Sequence, residues 1–210
     1  KKTQDIGALL IFDEVKTARL GPGGIQGMLD FNPDLTTLGK FIGGGLPTGA
    51  FGGSAEVMAR FNPKKKGAIA HAGTFNNNVC SMAAGCAAMS KIYTPQVASD
   101  FFDSSEAFRL SLNEMFAAKA VPLYANGLGS MIALHFSSEP TKRPSDITAG
   151  CRSLRPLLHM ELLLDGLLVC GRGDLFLSLP MTDEHLSQVR GALERFVDRY
   201  KPLVEEVLAA

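Results

Sequence analysis

Apolar residues run almost unbroken through GALLIFDEV at residues 7–15, broken only near the end by two acids, Asp13 and Glu14. A strand buried on both faces of a helix-covered parallel sheet has this pattern. Ligand-binding groups of such sheets gather at the carboxyl ends of the strands, where the two acids fall. Short apolar runs at 35–38 and 50–53 predict two more strands, the first leading directly to Lys40. Between the acids and the second strand, residues 16–32 are glycine-rich and weakly periodic, which predicts a loop with a short helical turn. A helix is expected at 54–60 with Ser54 as its N-cap. VCSMAAGCAAMSKIY at 79–93 reads as a well-buried helix, since it is rich in Ala and Met. Pro95 opens another, along which Val97, Phe101, Phe108, Leu112, Met115 and Phe116 recur at helical spacing to about residue 120. That stripe is core and carries no chemistry.

The pattern changes near Val121. Two short strands are predicted within 121–136, joined around Asn126-Gly127, a hairpin-type signal. A loop at 137–145 precedes a helix at 151–165 with Gly166 as its C-cap. Strands at 167–170 and 175–179 follow. Thr182-Asp183-Glu184 then starts a last amphipathic helix carrying Leu186, Val189, Leu193, Phe196 and Val197 on one face. The fold class is therefore α/β: residues 1–120 form part of a large domain with a mostly parallel sheet and helices, and 121–210 form a small α+β domain.

Composition narrows the partners. With 210 residues, 46% apolar and 20% charged, the chain is an ordinary globular one. Its 21 basic and 21 acidic residues cancel, so no global charge draws it to nucleic acid or an anionic membrane. The basic run Lys64-Lys65-Lys66 reads as a solvated loop tip. Cys80, Cys86, Cys151 and Cys170 lack metal or framework spacing and are expected to be reduced thiols, mostly in the core, of a cytoplasmic protein. No apolar run reaches the ~18 residues of a membrane span. The chain lacks an initiator Met and enters its first strand almost at once, which reads as the interior of a longer protein.

Chemistry centres on TTLGKFIGGGLPTGAFGG at 36–53. The glycines around Lys40 permit turns closed to other residues and leave room beside its amine. A lysine in a dry pocket loses its proton more readily and becomes a nucleophile able to form a Schiff base; in a flexible loop it would be a plain surface residue. Asp13 at a strand end and Thr74, in a glycine-bounded loop before a helix, supply an acid and a hydroxyl. Structural readings stand beside them: an ion pair or helix cap for Asp13, and N-capping of the following helix for Thr74. His71 and Asn76 to Asn78 read as loop structure. Together, amine, acid and hydroxyl are what pyridoxal 5′-phosphate (PLP) chemistry requires: an imine-forming lysine, a carboxylate for the pyridine nitrogen, and donors for the phosphate.

FDEV, then DLTTLGKFIGGGLPTGAFGG, then HAGTFNNNVCSMAAG resemble the class III (ω-type) PLP-dependent aminotransferases, in the branch of glutamate-1-semialdehyde 2,1-aminomutase and the β-amino-acid aminotransferases. The resemblance is strong over residues 7–93 and weaker through GDLFLSLPMTDEHL. It implies PLP fold type I, represented by its C-terminal half. By resemblance, Asp13 pairs with the pyridinium nitrogen, Val15 packs on the ring, and Lys40 forms the Schiff base and moves the substrate proton. Thr74 binds the phosphate of the neighbouring subunit's cofactor, which implies a homodimer with active sites at the subunit interface. Glu14 is left with structural hydrogen bonds near the cofactor. Arg172, in the CGRGD turn, is the candidate clamp for a substrate carboxylate, and Arg19 is a weaker one. The family's N-terminal portion, including its glycine-serine/threonine phosphate loop, is not in this sequence.

The implied reaction moves an amino group between an amino acid, a β-amino acid being one candidate, and a 2-oxo acid. Alternatives are the aminomutase's intramolecular amino transfer, or a truncated fragment acting only in dimerisation. Neither GxGxxG nor GxxxxGK[ST] occurs in a strand-to-helix setting, which excludes the common nucleotide-binding motifs.

Overall fold

The computed structural model describes residues 2–29 and 31–209; Asp30, in the expected loop 16–32, lies outside them. The chain divides into two compact units, Lys1–Asp100 and Phe101–Ala210.

In the first unit a single-turn helix, α1 (Lys2–Asp5), precedes β1 (Ile11–Asp13), and a 3-10 turn at Thr17–Leu20 lies in the loop that follows. β2 (Leu35–Gly39) pairs in parallel with β1, Asp13 lying opposite Thr37. β3 (Gly49–Gly53) returns antiparallel to β2, so the sheet is mixed where a mostly parallel one was expected. Connection length explains the difference: residues 40–48 are too few for the crossover of a dozen or more that a parallel return needs. α2 (Ala55–Met58) is capped by the Ser54 hydroxyl, which accepts from the Val57 amide at 3.4 Å. α3 (Val79–Ala87) runs into a π-helical turn at Ala88–Ile92.

Two expectations of burial fail in this unit. β1 lies at the sheet edge, and Ile11 is 57% exposed. α3 is not well buried either: Val79, Met82, Cys80 and Cys86 are exposed, and only Ser81 and Gly85 are enclosed. The cysteines follow suit, because all four are free thiols and only Cys151 is buried. Apolarity marks these side chains as ones that water disfavours, but the first unit supplies little to pack against them. Its buried apolar side chains, among the described residues, are Leu20 and Ala98.

The second unit holds the hydrophobic core. α4 (Pro95–Ala118) begins in the first unit, but its Phe108, Leu112, Met115 and Phe116 pack into the second. The compact units therefore divide at residue 100, about twenty residues before the change of sequence pattern near Val121. β4 (Tyr124–Leu128), β5 (Met131–His135) and β6 (Asp174–Phe176) form an antiparallel sheet in that order. α5 (Ala149–Leu164) and α6 (Asp183–Ala209) contribute Leu154, Leu158, Leu193 and Phe196 to the same core. The hairpin turns at Gly129-Ser130, not at Asn126-Gly127, whose residues pair with Ala133 and Ile132 inside the ladder. Residues 167–170 form no strand, and the expected strand at 175–179 shortens to β6.

A half-buried polar clasp fixes the hairpin to α4. Glu106 accepts from Arg109 Nε at 3.0 Å and from the Gly129 amide at 2.8 Å, while Arg109 Nη1 donates to the Ala125 carbonyl at 2.9 Å. Asn113 closes the same region, taking the Ala125 amide at 2.7 Å. The Arg109 hydrogen bond holds the Glu106 carboxyl below its ordinary pKa of 4.5, with burial opposing and the Gly129 amide assisting. A carboxyl whose folded pKa is depressed stabilises the fold above the unfolded value and loses that contribution as pH falls through the folded one. Glu106→Gln should therefore cost about 2 kcal/mol at pH 7, leaving Arg109 without its charged partner. The penalty should shrink below pH 4.5, as urea midpoints across pH would show; a constant penalty down to pH 3 would exclude this account.

Candidate active site

The parallel register of β1 and β2 brings Asp13 and Lys40 to the same end of the sheet. Asp13 is the last residue of β1, opposite Thr37, and Lys40 directly follows the last residue of β2. Neighbouring parallel strands thus present an acid and an amine at their carboxyl ends, where α/β sheets bind ligands. Asp13 Oδ1 is held in place, accepting from the Val15 amide at 2.9 Å and the Thr37 hydroxyl at 3.1 Å. Thr37 is a partner that sequence reasoning missed; the parallel register alone reveals it.

Val15 lies against Gly39, the residue before the lysine. A Cβ on Gly39 would meet Val15 Cγ1 at 3.4 Å and the Thr48 carbonyl at 3.4 Å, so the glycine leaves this corner open. Glu14, fully enclosed, performs the structural task assigned to it. Its carboxylate accepts from the amides of Ile25 at 3.2 Å and Gln26 at 2.7 Å and from the Thr17 hydroxyl, fixing the loop behind β1.

Lys40 starts a 3-10 turn, Lys40–Gly43, with φ at +53°. A side chain is disfavoured there because Cβ crowds the following carbonyl, and such strain persists only where the surroundings impose it. Gly44, at φ +60°, closes the turn by donating to the Phe41 carbonyl at 3.0 Å. Phe41 is fixed in turn by an edge-on contact with Tyr93, ring centroids 5.1 Å apart.

Thr74 sits in an exposed turn that ends at Asn77, whose φ is +57°. The cap of α3 is Asn78: its side-chain oxygen accepts from the Cys80 amide at 3.0 Å and the Ser81 amide at 3.2 Å. The capping role that competed for Thr74 is therefore taken by another residue. A groove of about 940 Å³ runs between β3 and this loop, lined by Phe51, Phe61, His71 and Asn76 among others. Neither Lys40, Asp13 nor Thr74 lines it, so this groove and the acid–amine pair are separate features.

Arg19 belongs to the 3-10 turn after β1, where burial pushes its pKa down and Tyr93 partly offsets the effect. Arg172 belongs to the second unit, in a turn closed by the Gly173 amide donating to the Cys170 carbonyl at 2.9 Å. Its guanidinium is largely exposed and pairs with Asp174 at 3.0 Å, leaving further donors for an anion. Close by, His135 accepts from Arg155 at 2.8 Å, and burial, then the Arg155 charge, push its pKa below the usual value.

Comparison with known proteins adds an independent line. A family model described as aminotransferase class-III matches residues 1–197. The β-phenylalanine transaminase of Variovorax paradoxus is 43% identical over 199 residues, which cover 95% of this chain and 46% of that protein. A crystal structure of β-phenylalanine aminotransferase from the same organism matches with a TM-score of 0.92, over 96% of this chain and 46% of that one. An ω-transaminase from Sphaerobacter thermophilus matches with a TM-score of 0.84 at 34% identity, over 94% of this chain and 45% of the other. Glutamate-1-semialdehyde 2,1-aminomutase of Caldivirga maquilingensis is 38% identical over 165 residues, 78% of this chain and 38% of that protein. The chain thus spans less than half the length of these relatives.

Proposed function

Because this chain belongs to the class-III aminotransferases, a PLP-dependent family, we propose that the protein bearing it moves an amino group between an amino acid and a 2-oxo acid, with Lys40 as the covalent anchor of the cofactor. The observation that carries this reading is Lys40 itself, held at φ +53° at a strand end beside the strand that ends in Asp13. The residues present fit PLP by their chemistry. Lys40 brings a primary amine for an aldehyde, Asp13 a carboxylate for a protonated ring nitrogen, and Val15 a branched aliphatic side chain for a ring face. When bound, PLP supplies an electron sink for the pair left on the substrate's reacting carbon.

Each residue then has a task. The Asp13 carboxylate, oriented by Thr37 and the Val15 amide, would hold a proton on the ring nitrogen. Lys40 Nζ would hold the cofactor's aldehyde and, as a free amine, would accept the proton leaving the substrate's reacting carbon. The Thr74 hydroxyl donates to the phosphate of a neighbouring subunit's cofactor, making the working form a homodimer with shared sites. Arg172 receives a substrate carboxylate. The relatives acting on β-phenylalanine favour a β-amino acid as donor.

Borohydride reduction of the complete protein, followed by peptide mass analysis, tests the anchor: a reduced cofactor adduct on Lys40 is expected, and an adduct on another lysine or none at all would overturn the reading. The aminomutase alternative draws on the relatives that carry that name. Conversion of glutamate semialdehyde without any added amino acceptor would favour it over transamination.

A further inference from the structure

We infer that Gly85 and Ser81 of α3 are positioning residues for Lys40: they seat the turn that carries it directly on the helix backbone. This rests on the reading of Lys40 given above. Only these two residues of α3 are buried, Gly85 against the Lys40 turn at Ile42 and Ser81 against Pro47 just beyond it. The Ser81 hydroxyl donates to the Pro47 carbonyl at 3.1 Å. A Cβ on Gly85 would lie 2.4 Å from the Ile42 carbonyl oxygen, far inside van der Waals contact. The approach is reciprocal, because a Cβ on Gly44 would lie 2.3 Å from the Ala84 carbonyl oxygen. Turn and helix therefore meet backbone to backbone, with no side chain between them to yield.

That seat explains how a lysine is kept in a left-handed conformation. On one side, the ladder of β2 and β3 fixes Gly39 opposite Gly49. On the other, α3 fixes residues 42–47. Lys40 lies between two rigid anchors and takes the backbone angles they leave. A methyl group at Gly85 must push the turn outward, and the clash is with backbone, so no rotamer change absorbs it. A shift of about 1 Å in a reacting group costs on the order of 10²-fold in rate.

The test uses the complete protein with PLP. Gly85→Ala should lower kcat about 10²-fold with a much smaller change in KM, slow borohydride trapping at Lys40, and move the pH at which the absorbance of the lysine-bound cofactor titrates. Ser81→Ala, which removes one hydrogen bond without adding bulk, should shift the same three readouts in the same direction by less, with the melting midpoint close to that of the unsubstituted protein. It also decides the matter if Gly85→Ala does not fold. Failure of the underlying reading shows separately, as an unsubstituted protein with no adduct on Lys40. If that adduct forms normally, and the folded variants keep the original kcat, trapping rate and titration midpoint, α3 does not position the lysine.

Discussion

Replacing Lys40 by alanine should abolish transamination, lowering kcat by about 10⁴-fold or more, while leaving the fold intact. The magnitude follows from the two tasks given to one amine: covalent anchoring and proton transfer, the latter alone worth about 10²–10⁴-fold. The fold should survive because the side chain is exposed and removes no core packing. A second substitution separates function from stability. At φ +53° every L side chain is strained, so Lys40→Gly should be more stable than Lys40→Ala by about 1 kcal/mol and equally inactive. Steady-state rates and urea midpoints of the two variants check both halves of the argument. Activity of Lys40→Ala within tenfold of the unsubstituted protein would remove the lysine from the mechanism.

The largest effect on stability is expected at Phe116, which is 1% exposed within the core of the second unit. Phe116→Ala deletes most of an aromatic ring from among tightly packed neighbours, costing about 3–5 kcal/mol in lost transfer energy and cavity formation. Most marginal stabilities are of the same order, so this unit should lose much of its structure at physiological temperature. Leu168, 85% exposed, is the matched control, and Leu168→Ala should change stability by no more than about 0.5 kcal/mol. Urea unfolding followed by circular dichroism separates the two; equal effects would mean that the core is not organised around α4.

The places of Asp13 at the end of β1 and Lys40 just after β2, and the helical stripe of α4, were legible in the sequence because their signals are local. A strand ending in an acid, a lysine amid glycines and a 3.6-residue period each need only their own neighbours. Features that depend on distant partners were misread. Asn126-Gly127 carries a hairpin-type signal, yet the turn forms at Gly129-Ser130, where the Gly129 amide is taken by Glu106. The strand expected at 167–170 is absent because β5 makes its bonds to β6, which starts four residues beyond Cys170 and after the Arg172 turn. α3 reads as a buried helix since its residues are apolar, but apolarity does not say what will cover them. Gly85 and Ser81 were invisible as positioning residues for a similar reason. Their role depends on contacts with the Ile42 and Pro47 carbonyls, 34 to 43 residues earlier in the chain.

The misplaced hairpin signal has a bearing on chemical ageing. Asn-Gly pairs in flexible turns lose ammonia when the glycine amide nitrogen attacks the asparagine side-chain carbon and closes a five-membered ring. Inside β4 that attack is obstructed. Gly127 lies in the antiparallel ladder opposite Ile132, and the Asn126 side chain is tied to the Thr141 backbone at both ends, donating to its carbonyl at 2.7 Å and accepting from its amide at 3.3 Å. The folded second unit thus shelters the bond most prone to spontaneous deamidation, and unfolding exposes it.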